Sequence, residues 1–276
     1  LLFVILLVTC DMRIKLLSII FLFLLSTILS SCASQVTILT NIRTARKAFV
    51  KVETWVGFCD KEKNMCMDPE VFSVGSGAVV LYGGNKVILT AAHVCSLGQY
   101  EKKIARKGGH VFLKIVDREG KSRKASIIKS DAKIDTCLLM SEDLDLPYIT
   151  LSKKKPEYGE KVYNIASPMG ISHGNMVPLF DGIFFGEHSG NAYYSIPTVG
   201  GASGSPILNI KGELVGMIHS VHYRFHHISL SARYVDLWNF LESARSHTTV
   251  LQNLCPHLGC EQSRIEEFLL EYDTFE

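Results

Sequence analysis

Thr198-Val199-Gly200-Gly201-Ala202-Ser203-Gly204-Ser205-Pro206 is the stretch on which the reading of this chain turns. A serine stands between glycines in a tight polar turn, and the apolar pair Ile207-Leu208 follows. A serine hydroxyl is a weak nucleophile until a neighbouring base takes its proton. The chain must then supply that base and a group to orient it. Two upstream stretches qualify: Leu89-Thr90-Ala91-Ala92-His93-Val94 and Ile134-Asp135-Thr136-Cys137-Leu138-Leu139. Alone, each is ambiguous: a histidine after small residues is often a core histidine, and an aspartate before an apolar run often opens a strand. It is the combination that points to acyl transfer.

Together the three stretches resemble the chymotrypsin-like (trypsin-fold) serine proteases. The T-A-A-H motif is present at Thr90 to His93, and G-x-S-G-x-P is present at Gly201 to Pro206. The order histidine, aspartate, serine matches that family and not subtilisins or α/β-hydrolases. The resemblance covers about residues 48–246 and implies an all-β fold, two Greek-key barrels with a C-terminal helix. It implies a triad of Ser203 as nucleophile, His93 as base and Asp135 as orienting acid, with the N–H groups of Gly201 and Ser203 as oxyanion hole. Neither a cofactor nor a metal is expected.

Two departures stand out. Most trypsins carry Asp before the nucleophile, where it pairs with a newly made N-terminus; here the residue is Ala202. Ser205 replaces a common Gly, as in the bacterial glutamyl endopeptidases, whose serine motif is the most similar. In that branch, and in viral chymotrypsin-like cysteine proteases, a threonine five residues before the nucleophile and a histidine on the next strand line the pocket for the residue before the cut. Thr198 has that spacing, and His219 and Ser220 lie in Gly216-Met217-Ile218-His219-Ser220. These three are the candidate substrate-binding residues, with Glu or Gln as the expected preference. One extra residue separates Gly216 from His219 relative to that branch. His219, His222, His226 and His227 form a cluster, but His219 and His222 fall on opposite faces of a strand, which argues against a metal site.

The N-terminus reads as a targeting segment. Arg13 and Lys15 precede the apolar run Leu16–Leu29, short for a membrane span. Met12 is a plausible start. Leu29-Ser30-Ser31-Cys32 resembles the bacterial lipobox, which makes Cys32 the lipidation candidate and the expected location a membrane-anchored lipoprotein, periplasmic or on the cell surface. The expected organisation is a leader over 1–32, a polar tether over 33–47 and a protease domain over 48–246. Its barrels span about 48–145 and 146–232, its helix 234–246, and an extension covers 247–276. In the extension Ser263 and Glu266 form a capping-box pattern. The formal charge of +2 gives no case for nucleic acid. The expected partners are a peptide or protein substrate and a membrane.

Of the eight cysteines, Cys59–Cys66 and Cys255–Cys260 are the local pairs expected to bridge in an exported protein. Cys95 and Cys137 are expected as buried thiols. From Tyr234 the period changes: Leu237, Phe240, Leu241 and Ala244 share one helical face. The functional reading is an exported serine endopeptidase. The competing one is a silent trypsin-fold lipoprotein that binds peptides or a partner, since fold alone does not confer activity.

Overall fold

The protein's structure, a computed structural model, describes residues 23, 36–60, 65–142, 144–174 and 176–243. The chain divides into two compact units, Leu1–Asn41 and Ile42–Glu276, and both β-barrels lie in the second. The first barrel is built from β1 (Phe49–Asp60), β2 (Met65–Cys66), β3 (Glu70–Tyr82), β4 (Asn85–Thr90), β5 (Gly109–Asp117), β6 (Ser122–Asp131) and β7 (Thr136–Met140). Its order is β2-β1-β3-β4-β7-β6-β5, and antiparallel pairing of β1 with β5 closes it. The second is a closed barrel, β10-β13-β12-β11-β8-β9. Its strands are β8 (Lys161–Ile165), β9 (Leu179–His188), β10 (Asn191–Tyr194), β11 (Pro206–Leu208), β12 (Leu214–His222) and β13 (Phe225–Ala232).

Each barrel has its own apolar centre. Val50, Val52, Ile88, Leu89, Ile115 and Leu138 are buried in the first. Val162, Phe184, Tyr194, Ile196, Ile207, Val215 and Ile218 form the second. These are mostly branched residues, which suit a pleated, half-buried surface. The connection between barrels is laced to both. Ile149 N–H donates to Val79 C=O (2.8 Å), Leu214 N–H to Thr150 C=O (2.8 Å) and Ser152 N–H to Leu214 C=O (2.9 Å).

Three features depart from the sequence reading or add to it. Within the expected polar tether a helix, α1, occupies 36–45, and a 3-10 turn follows over Arg46–Ala48. Ile42 and Ala45, three apart and therefore on one face, are buried, and that burial is what the polar composition concealed. Cys95 and Cys137 are not free thiols but a disulfide. They meet because β4 pairs with β7, with Thr90 opposite Cys137. The third change is a helix absent from the sequence reading, α3 (Gln99–Arg106), which follows the one-turn helix α2 (Ala92–Cys95).

Cys59–Cys66 is bridged as expected, across the β1–β2 pair. The C-terminal helix is described over 234–243, with Leu237, Phe240 and Leu241 buried. Lys129 of β6 ties it to the first barrel, donating to Phe240 C=O and Ser243 Oγ. Cys32, the leader apart from Phe23, Ala244 to residue 246, Cys255–Cys260 and the extension over 247–276 lie outside the described residues.

Candidate active site

His93 arrives at the site because β4 stops at Thr90, Ala91 stays extended and the chain turns once through α2. Asp135 arrives from the turn between β6 and β7. That turn is fixed by Asp131, whose Oδ1 accepts the N–H of Lys133 (2.8 Å). Asp135 has φ +48°, a left-handed conformation that Asp tolerates better than most residues.

The carboxylate of Asp135 grips His93 at two points. Oδ1 accepts the backbone N–H (2.9 Å) and Oδ2 lies 2.7 Å from ring Nδ1. An ionised carboxylate only accepts, so Nδ1 carries a ring proton, which in the neutral ring leaves Nε2 as an acceptor. Burial would raise the Asp135 pKa, but hydrogen bonds from the His93 ring and N–H, and the charges of His93 and His219, outweigh it. The carboxyl is held below its usual range. The Cys95–Cys137 bridge joins the two elements two residues beyond each partner, and Thr54 Oγ1 donates to Val94 C=O (2.9 Å) behind the histidine.

Ser203 sits in a turn that only glycine permits on either side. Gly201 has φ +93° and Gly204 φ +88°. A Cβ at Gly201 would stand 2.5 Å from Ser167 C=O, and one at Gly204 would collide with Ser76 C=O and Thr90 Oγ1. The turn therefore packs directly on the strand that delivers His93. A Cβ at Gly75 would meet Val94 at 2.6 Å and Ser203 C=O at 3.1 Å, so the turns that bear His93 and Ser203 converge on one point of β3. Among the described residues no hydrogen bond joins Ser203 Oγ to His93, and the N–H groups of Gly201 and Ser203 are not taken by another group. Hydroxyl–imidazole contacts of this kind commonly tighten only when substrate is bound.

Of the residues proposed to bind substrate, Thr198 is buried, its N–H donates to His226 C=O (2.9 Å) and its Oγ1 has no hydrogen-bond partner. Ser220 is half-buried opposite Leu230. His219 falls at a register shift of β12. The extra residue is absorbed as a bulge, because Ile218 pairs with Ser231 and Ser220 with Leu230. A bulge re-aims its side chain. Burial lowers the His219 pKa, Asp135 acts against that, and His93 adds to it. His219 is thus within electrostatic reach of Asp135 and His93. Among the described residues no group of His, Cys, Asp and Glu is placed to hold a metal.

Two closed antiparallel barrels, with a His–Asp pair and a glycine-held serine on turns that meet at Gly75, have the architecture of the trypsin-type double barrel. The family model for the trypsin-like peptidase domain matches residues 75–217, and the chain belongs to that family. It is 29% identical over 162 residues to a probable periplasmic serine endoprotease DegP-like of Pseudomonas fluorescens, covering 56% of this chain and 31% of that protein. With the protein of the same description from Hahella chejuensis the identity is 30% over 163 residues, with the same coverage. The chain thus spans about a third of the length of these relatives. Among solved structures, the serine endoprotease from Yersinia pestis superposes with a TM-score of 0.57 at 19% identity, covering 76% of this chain and 66% of that one. At that identity the likeness speaks for the fold.

Proposed function

We propose that the protein is an exported serine endopeptidase working through Ser203, His93 and Asp135. The observation that carries this is the two-point grip of Asp135 on His93 beside the turn that bears Ser203. Ser203 Oγ adds to the scissile carbonyl carbon while its proton passes to His93 Nε2. The carbonyl oxygen takes the negative charge and is met by the N–H groups of Gly201 and Ser203. The intermediate collapses, the C–N bond breaks, and His93 returns the proton to the leaving amine. Water repeats the sequence on the acyl-serine and frees the enzyme.

The buried, unpartnered hydroxyl of Thr198 supports a polar pocket that accepts Glu or Gln before the cut, the preference of the glutamyl endopeptidases. A buried hydroxyl without a partner favours a ligand that supplies one. Relatives described as periplasmic support export. Acylation at Cys32 then makes the protein a lipoprotein; no described helix is long and apolar enough to cross a membrane.

Peptide-library profiling of the chain from Ala33, with Ser203→Ala as control, tests this reading. Cleavage after Glu or Gln that is lost in Ser203→Ala, and a preference that weakens about 10-fold in Thr198→Val, support it. Cleavage after basic or large aromatic residues removes the pocket assignment. Ala202 beside the nucleophile favours one other reading, a silent trypsin-fold protein that binds peptides; binding of library peptides without any cleavage would select it.

A further inference from the structure

Ala202, next to the nucleophile, is buried and offers only a methyl group. The serine turn therefore has no charged side chain of its own at that position to hold it. Its own barrel holds the turn at Gly204, whose N–H donates to Ile218 C=O (2.6 Å), and the contacts from the other barrel converge on one residue, Ser76 of β3, which is fully buried. Its N–H donates to Ser203 C=O (2.7 Å). Its hydroxyl donates to Gly201 C=O (2.8 Å) and accepts the N–H of Ser167 (2.9 Å). Its own C=O accepts from Thr90 Oγ1 (2.8 Å), on the strand that delivers His93.

The Ser167 bond extends the grip. Two residues further on, Met169 N–H donates to Gly200 C=O (2.6 Å). Both peptide planes flanking Gly201 are thus anchored through their carbonyls, one by Ser76 directly and one by the segment that Ser76 holds. In a trans peptide the C=O and N–H point in opposite directions. Fixing Gly200 C=O on Met169 therefore directs Gly201 N–H the other way, into the position the oxyanion needs. The flanking glycine fits this role, because a side chain at Gly75 would strike Val94 at 2.6 Å.

We propose that Ser76 is the positioning residue of the oxyanion turn, its hydroxyl setting the direction of the Gly201 N–H from the opposite barrel. This rests on the reading of Ser203 as nucleophile. A single hydroxyl serves because it donates and accepts at once, which neither Ala nor Gly can do.

The experiment compares wild type, Ser76→Ala, Ser76→Thr and Ser203→Ala on the fluorogenic peptide that profiling returns. Active sites are counted with a fluorophosphonate and melting temperature is followed. Per titrated site, Ser76→Ala should lower kcat roughly 10- to 100-fold with KM within about 2-fold, the pattern of a lost transition-state interaction. Inhibition by the matching peptide aldehyde, whose hemiacetal oxygen occupies the hole, should weaken in parallel. Ser76→Thr, which keeps the hydroxyl, should recover most of kcat. Wild-type kcat per site in Ser76→Ala overturns the proposal, and so does a Ser76→Thr as slow as Ser76→Ala at an unchanged melting temperature. A wild type that neither cleaves nor labels would instead sink the nucleophile reading on which this one stands.

Discussion

Asp135 does two separable jobs at one carboxylate. It locks the α2 turn through the His93 N–H and sets the imidazole tautomer through Nδ1. Asparagine at this position keeps the shape but offers an amide group where an acceptor is needed, so it favours the tautomer with the proton on Nε2. Asp135→Asn should therefore cut kcat by roughly 10⁴-fold at neutral pH, the scale known for such an exchange in a serine triad, with a smaller effect on KM. Steady-state kinetics on a single peptide checks it, and a loss under 10-fold would deny Asp135 its role. The same carboxyl carries a pH signature. Its folded pKa, like that of Asp117, is depressed: burial pushes up at both sites, and hydrogen bonds from His93 and from Arg123 respectively prevail. A depressed carboxyl stabilises the fold above its unfolded pKa of about 3.9 and loses that contribution as pH falls through the lower folded value. Melting temperature should hold from pH 7 to about pH 5 and drop below about pH 4, less steeply in an Asp117→Asn variant. An unchanged slope in that variant would contradict the account.

At the level of elements, the site is a meeting of β3, β4 and β7 of the first barrel with the turn that opens β11 of the second. The Cys95–Cys137 bridge spans 42 residues and clamps the elements bearing His93 and Asp135. By the chain-entropy model a closed loop of that length stabilises by about 4 kcal/mol. The double variant Cys95→Ala/Cys137→Ala should lose stability on that scale in denaturant titration, and its kcat should fall more than its KM rises. A variant as stable and as fast as wild type would make the bridge incidental. What could be seen in advance follows from locality. Thr90 to His93 and Gly201 to Pro206 were legible because a turn's chemistry is written in adjacent residues. The Cys95–Cys137 pair was not, since it depends on which strands become neighbours. The α3 helix escaped because its eight residues carry only two large apolar side chains, Tyr100 and Ile104, and none of the eight is buried. The extra residue before His219 is legible in the sequence, but that it becomes a bulge depends on β13, the partner strand. The bond from Ser76 to Gly201 crosses 125 positions and two barrels, beyond the reach of any local pattern.

Across the whole molecule, the proposed mechanism divides one reaction between two barrels. On that proposal the first supplies base, acid and the anchor of the oxyanion turn, and the second supplies the nucleophile and, through Thr198, the wall of the pocket. The connection over 149–152 hydrogen-bonds to β3 on one side and to Leu214 of β12 on the other, which keeps the two halves in register. The central claim is that this register makes Ser203 a nucleophile driven by His93. Its most direct measurement is intact-mass and peptide-mapping analysis of the chain from Ala33 treated with a fluorophosphonate at neutral pH. The account predicts one adduct per chain, on Ser203, abolished by Ser203→Ala and slowed at least 100-fold by His93→Ala. An unmodified Ser203 in folded wild-type protein, or labelling that proceeds equally well without His93, would contradict it.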